Sequence, residues 1–310
     1  MMPMNWLIIA PDEKNENLKK VEEFLEKKHN SIPYRIFVYE NLPKDELYDY
    51  IKHIMQTSHC IVVNSEAMCN SIDYVYLMGA LAGKGIRTFI YAQASYLRRY
   101  ETVDSSSRGI FHTFSSIDEL IHNVDTKFEE FERRENEKQA LVSLFTLGIP
   151  FSGDCFAEYI AKDKTDICEL FMEAGMQVNA RNSAGVPMLC IAARNDCLEK
   201  VKWLVEKGAN IDSVSKDRGY SPVMDAVWRK NYEITEYLVN KGANLNFISS
   251  DGQPLLVLAV GNGNAKIVKL LLEHGADPNV KDSMGMSALE YARLFKQTDI
   301  LQVFKNLGFN

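Results

Sequence analysis

The sequence has no long hydrophobic run, because no stretch approaches the roughly 20 apolar residues that a membrane-spanning helix needs. Its first residues, MMPMNWLIIAP, also lack the basic start and the long apolar segment of a secretory signal. Positive charge is not in excess either, since 42 acidic residues outnumber 35 lysines and arginines, and nucleic-acid binding usually needs a basic surface. We therefore expect a cytoplasmic protein with no membrane and no nucleic acid among its partners.

Motifs for metal binding and for several enzyme classes are missing. The six cysteines are scattered without a C-x-x-C pair, which predicts reduced thiols. No G-x-x-x-x-G-K-[ST] loop occurs, because Gly83-Lys84-Gly85 follows a predicted helix and precedes a predicted strand, the reverse of the order in a phosphate loop. Neither H-E-x-x-H nor G-x-S-x-G is present. We expect no metal and no cofactor.

The C-terminal half contains an internal repeat with a period of 33 or 34 residues. Each unit reads as a short helix, a second helix with apolar residues at i, i+3 and i+4, and a glycine suited to a left-handed helix end. Within the units an alanine and this glycine stand 16 residues apart. The pairs are Ala192 and Gly208, Ala226 and Gly242, Ala259 and Gly275, and Ala292 and Gly308.

Segments such as GYSPVMDAV and AKIVKLLLEHGADPN resemble ankyrin repeats, whose pattern runs through T-P-L-H-x-A and G-A-D-x-N. The resemblance implies an all-α ankyrin repeat solenoid over residues 150–310. We place an irregular first repeat at 150–180 and four further repeats at 181–212, 213–246, 247–280 and 281–310. The histidine of the family pattern is replaced by Cys190, Met224, Val257 and Glu290. We therefore expect the side-chain hydrogen bonds that usually join neighbouring repeats to be absent, leaving apolar stacking to hold the array together.

For function, the ankyrin resemblance implies binding of a protein partner on a concave face made of the turn tips and the exposed ends of the first helices. Trp228 beside Arg229 is the strongest contact candidate, because Trp, Tyr and Arg dominate interface energies. The alternative is that Trp228 packs on a neighbouring repeat and Arg229 is only solvated. The predicted protein-binding residues are Arg194, Asn195, Arg218, Tyr220, Trp228, Arg229 and Asn262.

Residues 1–124 alternate strand-like and helix-like segments, which predicts an α/β domain with a parallel, flavodoxin-like sheet. Ligands of such sheets bind beyond the carboxyl ends of the strands. This rule points to Ala10 and Pro11 after the first strand and to Asn64, Ser65 and Glu66 after the third. Residues 125–149 are rich in both charges and are expected to form a charged helical connector.

Three segments of the N-terminal half are similar to nucleoside 2-deoxyribosyltransferases and to Toll/interleukin-1 receptor domains. They are LIIAP at 7–11, SHCIVVN at 58–64 and MGALAGKGIRTFIY at 78–91. The resemblance implies a nucleotide-binding type of domain, with a carboxylate nucleophile and a second acid in the active members. Here Leu77 stands at the nucleophile position and Ser71 at the position of the earlier aspartate, so the catalytic pattern is broken.

Asp73 is the nearest acid to that site and has three interpretations. It can favour the positive end of its helix dipole, bind a ribose hydroxyl without turnover, or act as the catalytic carboxylate of a shifted site with Glu66 as partner. Tyr76 is a candidate for stacking on a base, although an aromatic at helical spacing more often belongs to a core.

The sequence thus favours a protein–protein interaction module coupled to an α/β domain that binds a nucleotide or nucleoside, or serves as a catalytically lapsed scaffold. The alternative is an enzyme, related to nucleoside deoxyribosyltransferases or NAD glycohydrolases, that cleaves or transfers an N-glycosidic bond. In that case the array would serve targeting or regulation.

Overall fold

The computed structural model describes residues 4–38, 44–69, 71–93 and 110–309. The chain divides into two compact units, Met1–Asn136 and Glu137–Asn310. The first contains a β-sheet with helices, and the second is a helical repeat, as the sequence predicts.

The sheet of the first unit has five parallel strands in the order β2-β1-β3-β4-β5. This is the order of flavodoxin-like folds, in which the chain changes direction between β1 and β3. The strands are β1 (Trp6–Ala10), β2 (Tyr34–Phe37), β3 (His59–Val63), β4 (Arg87–Tyr91) and β5 (Phe111–Phe114).

Two apolar cores cover the two faces of this sheet. Because successive side chains of a strand point to opposite faces, Ile8 belongs to one core while Leu7 and Ile9 belong to the other. Every residue of β1 and β3 is buried, as expected for parallel strands covered on both sides. The helices of this unit are α1 (Glu16–His29), α2 (Lys44–Gln56), α3 (Glu66–Cys69), α4 (Ile72–Lys84) and the beginning of the long α5 (Ile117–Thr146).

The second unit contains the end of α5 followed by five helix pairs. The first helix of each pair is called the inner helix and the second the outer helix. The pairs are α6 (Gly153–Ala161) with α7 (Thr165–Glu173), α8 (Met188–Arg194) with α9 (Leu198–Glu206), α10 (Pro222–Trp228) with α11 (Tyr232–Asn240), α12 (Leu255–Gly261) with α13 (Ala265–Glu273), and α14 (Ala288–Leu294) with α15 (Thr298–Asn306).

Side-chain hydrogen bonds begin several of these helices, and glycines follow the outer ones. Asn231 and Asn264 cap α11 and α13 by accepting the backbone N–H of Ile234 and Ile267. Ser287 and Glu290 form a capping box at the start of α14. After the outer helices the chain turns at glycines in the left-handed region, which costs a glycine no steric strain. They are Gly175, Gly208, Gly242, Gly275 and Gly308, with φ between 84° and 94°.

The inner helices stack along the array through fully buried alanines at 192, 226, 259 and 292. Polar side chains also join the repeats, which corrects the expectation that apolar stacking alone would do so. Asn179, Asp212 and Asn246 each accept a backbone N–H from the following repeat, at 2.8, 2.9 and 2.8 Å. These hydrogen bonds between repeats are therefore made by the turns after the outer helices.

The histidine positions of the family pattern behave largely as expected. Met224 and Val257 are buried apolar residues, and Glu290 is used in the cap of its own helix. Cys190 is the exception, because its Sγ lies 3.5 Å from the Ser213 carbonyl and 3.7 Å from the Tyr220 carbonyl of the next repeat. A thiol is a weak donor, so this tie is weaker than an imidazole bond.

Candidate protein-binding site

The candidate surface is built by the C-terminal ends of the inner helices and by the turns that precede them. Trp228 is the last residue of α10 and Arg194 the last residue of α8. The turn before α10 contains Asp217, Arg218 and Tyr220. These elements belong to two adjacent repeats, so their relative position follows from the packing of α8 against α10.

Arg194 lies inside an ion-pair network. Its Nη1 and Nη2 donate to the two carboxylate oxygens of Asp217 at 2.6 and 3.0 Å, and its Nε donates to Asp225 Oδ1 at 2.9 Å. Nη2 also donates to Ser215 Oγ at 2.9 Å. The Arg194 side chain is only 14% exposed and that of Asp225 is fully buried. This arginine therefore joins its own repeat to the next one.

The two carboxylates of the network respond differently to their surroundings. Hydrogen bonding to Arg194 holds the pKa of Asp217 well below its usual range. Burial raises the pKa of Asp225, and Arg194 opposes that shift. Asp225 Oδ2 is buried and has no hydrogen-bond partner among the described residues. Arg194 is thus what makes a charged carboxylate tolerable inside the inner-helix stack.

Next to this network is an open cleft of about 490 Å³. The Trp228 indole is 49% exposed there, whereas the Tyr220 ring is buried edge-on to it at a centroid distance of 6.4 Å. The Tyr220 hydroxyl donates to Gln253 Oε1 at 3.1 Å, which fixes the ring. The cleft is lined by Asp217, Arg218, Tyr220, Trp228, Ser250 and Asp251.

The remaining predicted contact residues make bonds within the array. Arg229 Nη2 lies 2.6 Å from Asp196 Oδ2 of the preceding repeat, in a pair that is exposed to solvent. Asn262 donates to the Val227 carbonyl at 2.8 Å, across the repeat boundary. Asn195 donates to the Ile191 carbonyl of its own helix at 2.8 Å. The structure therefore brings Arg218, Tyr220 and Trp228 together, and it uses Arg194 and Asn262 to position the repeats.

Sequence reasoning missed Asp217, Asp225 and Ser250. A signal for Asp225 was available, because a carboxylate within the apolar inner helix PVMDAVW requires a buried partner. Asp217 and Ser250 had no comparable signal, since turn residues of this kind occur at many exposed positions.

In the first unit, the predicted ligand residues lie at the reversal of strand order. Ala10 ends β1 and its carbonyl accepts the Val38 N–H at 3.0 Å, while the Asn64 N–H after β3 donates to the Tyr91 carbonyl at 2.9 Å. Because β1 and β3 are paired neighbours, Pro11 and Ser65 follow adjacent strand ends. The four residues thus lie at the carboxyl ends of two neighbouring strands, at the switch point of the sheet.

The other candidate residues of the first unit lie on α3 and α4. Asp73 lies in the first turn of α4, where a carboxylate favours the positive end of the helix dipole. Tyr76 is 53% exposed, whereas Leu77 is fully buried in the apolar core. Glu66 begins α3, and its side chain lies outside the described residues. The nucleophile position of the resemblance is therefore occupied by a core side chain.

Among the described residues, no group of three or more His, Cys, Asp or Glu side chains is arranged to hold a metal ion. In the same part of the chain, no helix is both long enough and apolar enough to cross a membrane.

Comparison with known proteins identifies the repeat. A family model described as ankyrin repeats (3 copies) matches residues 157–249 and 223–310. A protein of Treponema pallidum (strain Nichols) whose name assigns it ankyrin repeats is 28% identical over 248 residues, covering 78% of this chain and 80% of that one. Human B-cell lymphoma 3 protein is 35% identical over 127 residues, which are 41% of this chain and only 28% of that protein.

The Treponema match is longer than the span from 157 to 310, so it also includes residues that precede the matched repeats. Neither relative's name refers to deoxyribosyltransferase or Toll/interleukin-1 receptor domains. The C-terminal half of the chain is therefore built of ankyrin repeats.

Proposed function

We propose that the ankyrin array is a protein-binding module whose contact centre is Trp228 and the cleft beside it. The observation that carries this proposal is the exposure of half of a Trp side chain at the end of an inner helix, next to an open cleft. A large aromatic ring in a partly enclosed, polar-rimmed depression is the kind of group that contributes most to protein–protein affinity.

The cleft is already arranged for binding. Tyr220 is fixed by Gln253, and Asp217 is fixed by two bonds from Arg194. A partner would therefore meet a surface whose side chains have little conformational entropy left to lose, which favours affinity. Arg218 and Asp251 are exposed at the rim of the cleft. Their charges contribute to specificity for the partner more than to affinity.

Affinity capture with the full chain tests this proposal. The chain and its Trp228→Ala variant are used as baits in lysate of the cells that produce the protein, and retained proteins are identified by mass spectrometry. Tyr232→Ala is the matched control, because Tyr232 is a 37% exposed aromatic at the start of the outer helix α11. We expect a partner that is retained by the parent and by Tyr232→Ala and lost with Trp228→Ala. Equal retention by all three baits would contradict the assignment of Trp228.

A second function concerns the first unit, where the switch-point position of Ala10, Pro11, Asn64 and Ser65 supports a ligand site for a nucleotide or nucleoside. Thermal unfolding of the chain with and without NAD, nucleosides and deoxynucleosides tests binding, and chromatography of released base tests turnover. Binding without base release supports a ligand-binding domain. Base release that is lost in Asp73→Asn supports the enzyme alternative, and no effect of any compound contradicts both.

The state of the cysteines supports a cytoplasmic location. The five whose side chains are described, at positions 60, 155, 168, 190 and 197, are all free thiols. Free thiols persist in a reducing compartment.

A further inference from the structure

The inner helices end in a row of corresponding residues that runs across the array. α8, α10, α12 and α14 end at Arg194, Trp228, Gly261 and Leu294, respectively. The side chains of Trp228 and Leu294 are 49% and 60% exposed. Gly261 lies between them, is exposed, and has no atom within 4 Å of the position where a Cβ would stand. The part of the row from Trp228 to Leu294 is therefore apolar at both ends, with an open position at Gly261 between them.

A second row runs two residues further along each repeat. It consists of Lys230, Gly263 and Lys296, and both lysines are exposed. All three residues have positive φ, at 59°, 68° and 52°, so the backbone repeats the same turn in each unit. The middle repeat again has a glycine where its neighbours have long side chains. The two rows thus leave an open position at Gly261 between exposed apolar side chains, with the exposed Lys230 and Lys296 along the lower edge, and this surface is called here the Gly261 trough.

The floor and one wall of the Gly261 trough are fixed by hydrogen bonds. Asn262 donates to the Val227 carbonyl at 2.8 Å and Gln297 donates to the Val260 carbonyl at 2.9 Å, so the three repeats are held in register there. Phe295 extends the apolar wall beyond Leu294; it is 55% exposed and stacks on Tyr291 at 5.7 Å. The Tyr291 hydroxyl in turn donates to Asp282 at 2.5 Å.

We propose that the Gly261 trough binds an acidic polypeptide segment that carries two large apolar side chains. One apolar group would pack on Trp228 and the other on Leu294 and Phe295. The segment's backbone would pass close to Gly261, where no side chain obstructs it. Its carboxylates would face Lys230 and Lys296. This inference deepens the proposed function and rests on it, because it states which kind of protein segment the array takes.

Charge complementarity selects an acidic rather than a basic occupant. The lower edge carries the exposed Lys230 and Lys296, and Arg293, which precedes Leu294, is exposed as well. The acid at the corresponding position of the preceding repeat, Asp196, is already paired with Arg229. A basic segment would therefore meet like charges along this edge, which suppresses binding.

The spacing sets the length of the segment. Helices pack about 8–10 Å apart, so Trp228 and Leu294 are separated by roughly 16–20 Å across two repeat boundaries. An extended chain covers this distance in about six residues, at about 3.3 Å per residue. A helix covers it in about twelve residues, at about 1.5 Å per residue.

Gly261 allows a test that does not depend on damaging the fold. Both Ala and Gln have higher helix propensity than Gly, and the Cβ position is open, so Gly261→Ala and Gly261→Gln should melt no lower than the parent. Only Gln is long enough to fill the gap. Comparing Gly261→Ala with Gly261→Gln therefore distinguishes occlusion of the trough from unfolding of the array.

The probe is a displayed library of random peptides of about 16 residues, long enough for either conformation. It is selected on the full chain, and the recovered peptides are synthesised and titrated against the variants. We expect net-negative peptides with two or more large apolar residues. Their affinity should fall about tenfold in Gly261→Gln and in the Lys230→Glu, Lys296→Glu double variant, but by less than about threefold in Gly261→Ala, since tenfold corresponds to one lost interaction of ordinary strength.

Recovery of basic peptides, recovery of none, or equal binding to Gly261→Gln and Gly261→Ala would overturn the proposal. The same variants applied to a captured partner distinguish this proposal from the broader one. A partner lost with Trp228→Ala but retained by Gly261→Gln would leave the protein-binding function standing and reject the trough. A partner retained by both variants would reject both.

Discussion

The Arg194 guanidinium forms two parallel hydrogen bonds with the Asp217 carboxylate, Nη1 to Oδ2 at 2.6 Å and Nη2 to Oδ1 at 3.0 Å. The two residues belong to adjacent repeats, and the same guanidinium also bonds Asp225 in the stack of inner helices. A side chain at the end of one inner helix thus positions both the turn and the inner helix of the next repeat. The cleft beside Trp228 depends on that turn.

Arg194→Ala should destabilise the array by about 3–5 kcal/mol, because removing one partner of a buried ion pair leaves the Asp225 charge uncompensated. Urea unfolding of the full chain, followed by circular dichroism, measures this change. Arg229→Ala is the matched control, since its pair with Asp196 is solvent-exposed and should contribute less than about 1 kcal/mol. Similar losses in the two variants would show that burial of the Arg194 network is not what stabilises the array.

Acid should weaken the array through Asp217. Its pKa is lowered in the folded chain, so between that value and the unfolded value of about 3.9 the unfolded chain binds more protons than the folded one. The contribution of Asp217 to the free energy of unfolding is therefore fully present above about pH 5. It is lost as the pH falls through the pKa of Asp217 in the folded chain. Asp225, whose pKa is raised, acts in the opposite direction.

Thermal unfolding of the parent and of Asp217→Asn between pH 7 and pH 2 isolates this contribution. The difference in melting temperature between the two proteins should shrink as pH falls below about 4, where the parent carboxylate begins to lose its advantage. A difference that stays constant over the whole range would contradict the role of the ionised Asp217.

Gly219→Ala should be more destabilising than Gly242→Ala, although both glycines have positive φ, at 66° and 86°. A Cβ at Gly219 would lie 2.7 Å from the backbone nitrogen of Ser250, whereas a Cβ at Gly242 would meet nothing within 4 Å. Backbone strain alone costs about 1–2 kcal/mol, and overpacking adds about 1–3 kcal/mol at Gly219. Urea unfolding measures the loss of stability in each variant. Equal losses in Gly219→Ala and Gly242→Ala would mean that the turns before α10 and α12 do not pack closely.

Buried cysteines should react more slowly than partly exposed ones. Burial raises the pKa of Cys168 to about 12, and its side chain is inaccessible, while Cys155 is partly exposed. Iodoacetamide at pH 8 should modify Cys155 in the folded chain and Cys168 only after urea is added, because the thiolate is the reactive form. Peptide mass spectrometry gives the extent of each reaction. Early modification of Cys168 would indicate that the opening repeat unfolds locally.

The architecture of both units follows from local patterns in the sequence. The repeat period identifies the turns, because glycines such as Gly208 and Gly242 do adopt the left-handed conformation that the pattern predicts. Alternating strand and helix patterns predict the parallel sheet. The position of β1 between β2 and β3 agrees with the predicted flavodoxin-like class. The pairing between distant segments that sets this position is not contained in a pattern along the chain.

The candidate site could be predicted only in part. The repeat register places Trp228 at an exposed helix end, and the structure shows it half-exposed. The same register places Arg194 there too, but its long side chain turns inward to Asp217 and Asp225, since a buried carboxylate requires a cation. The repeat register predicts the position of a residue on the helix. It does not predict the direction of a long side chain, which depends on the partner to which that side chain bonds.

The affinity of a captured partner for the Trp228→Ala variant tests the central claim most directly. Calorimetric titration of the partner into the parent, Trp228→Ala and Tyr232→Ala measures it. The account predicts a loss of about 2 kcal/mol or more, about 30-fold, for Trp228→Ala and less than twofold for Tyr232→Ala. Unchanged affinity of the Trp228→Ala variant, with the array still folded, would show that the partner binds elsewhere on the chain.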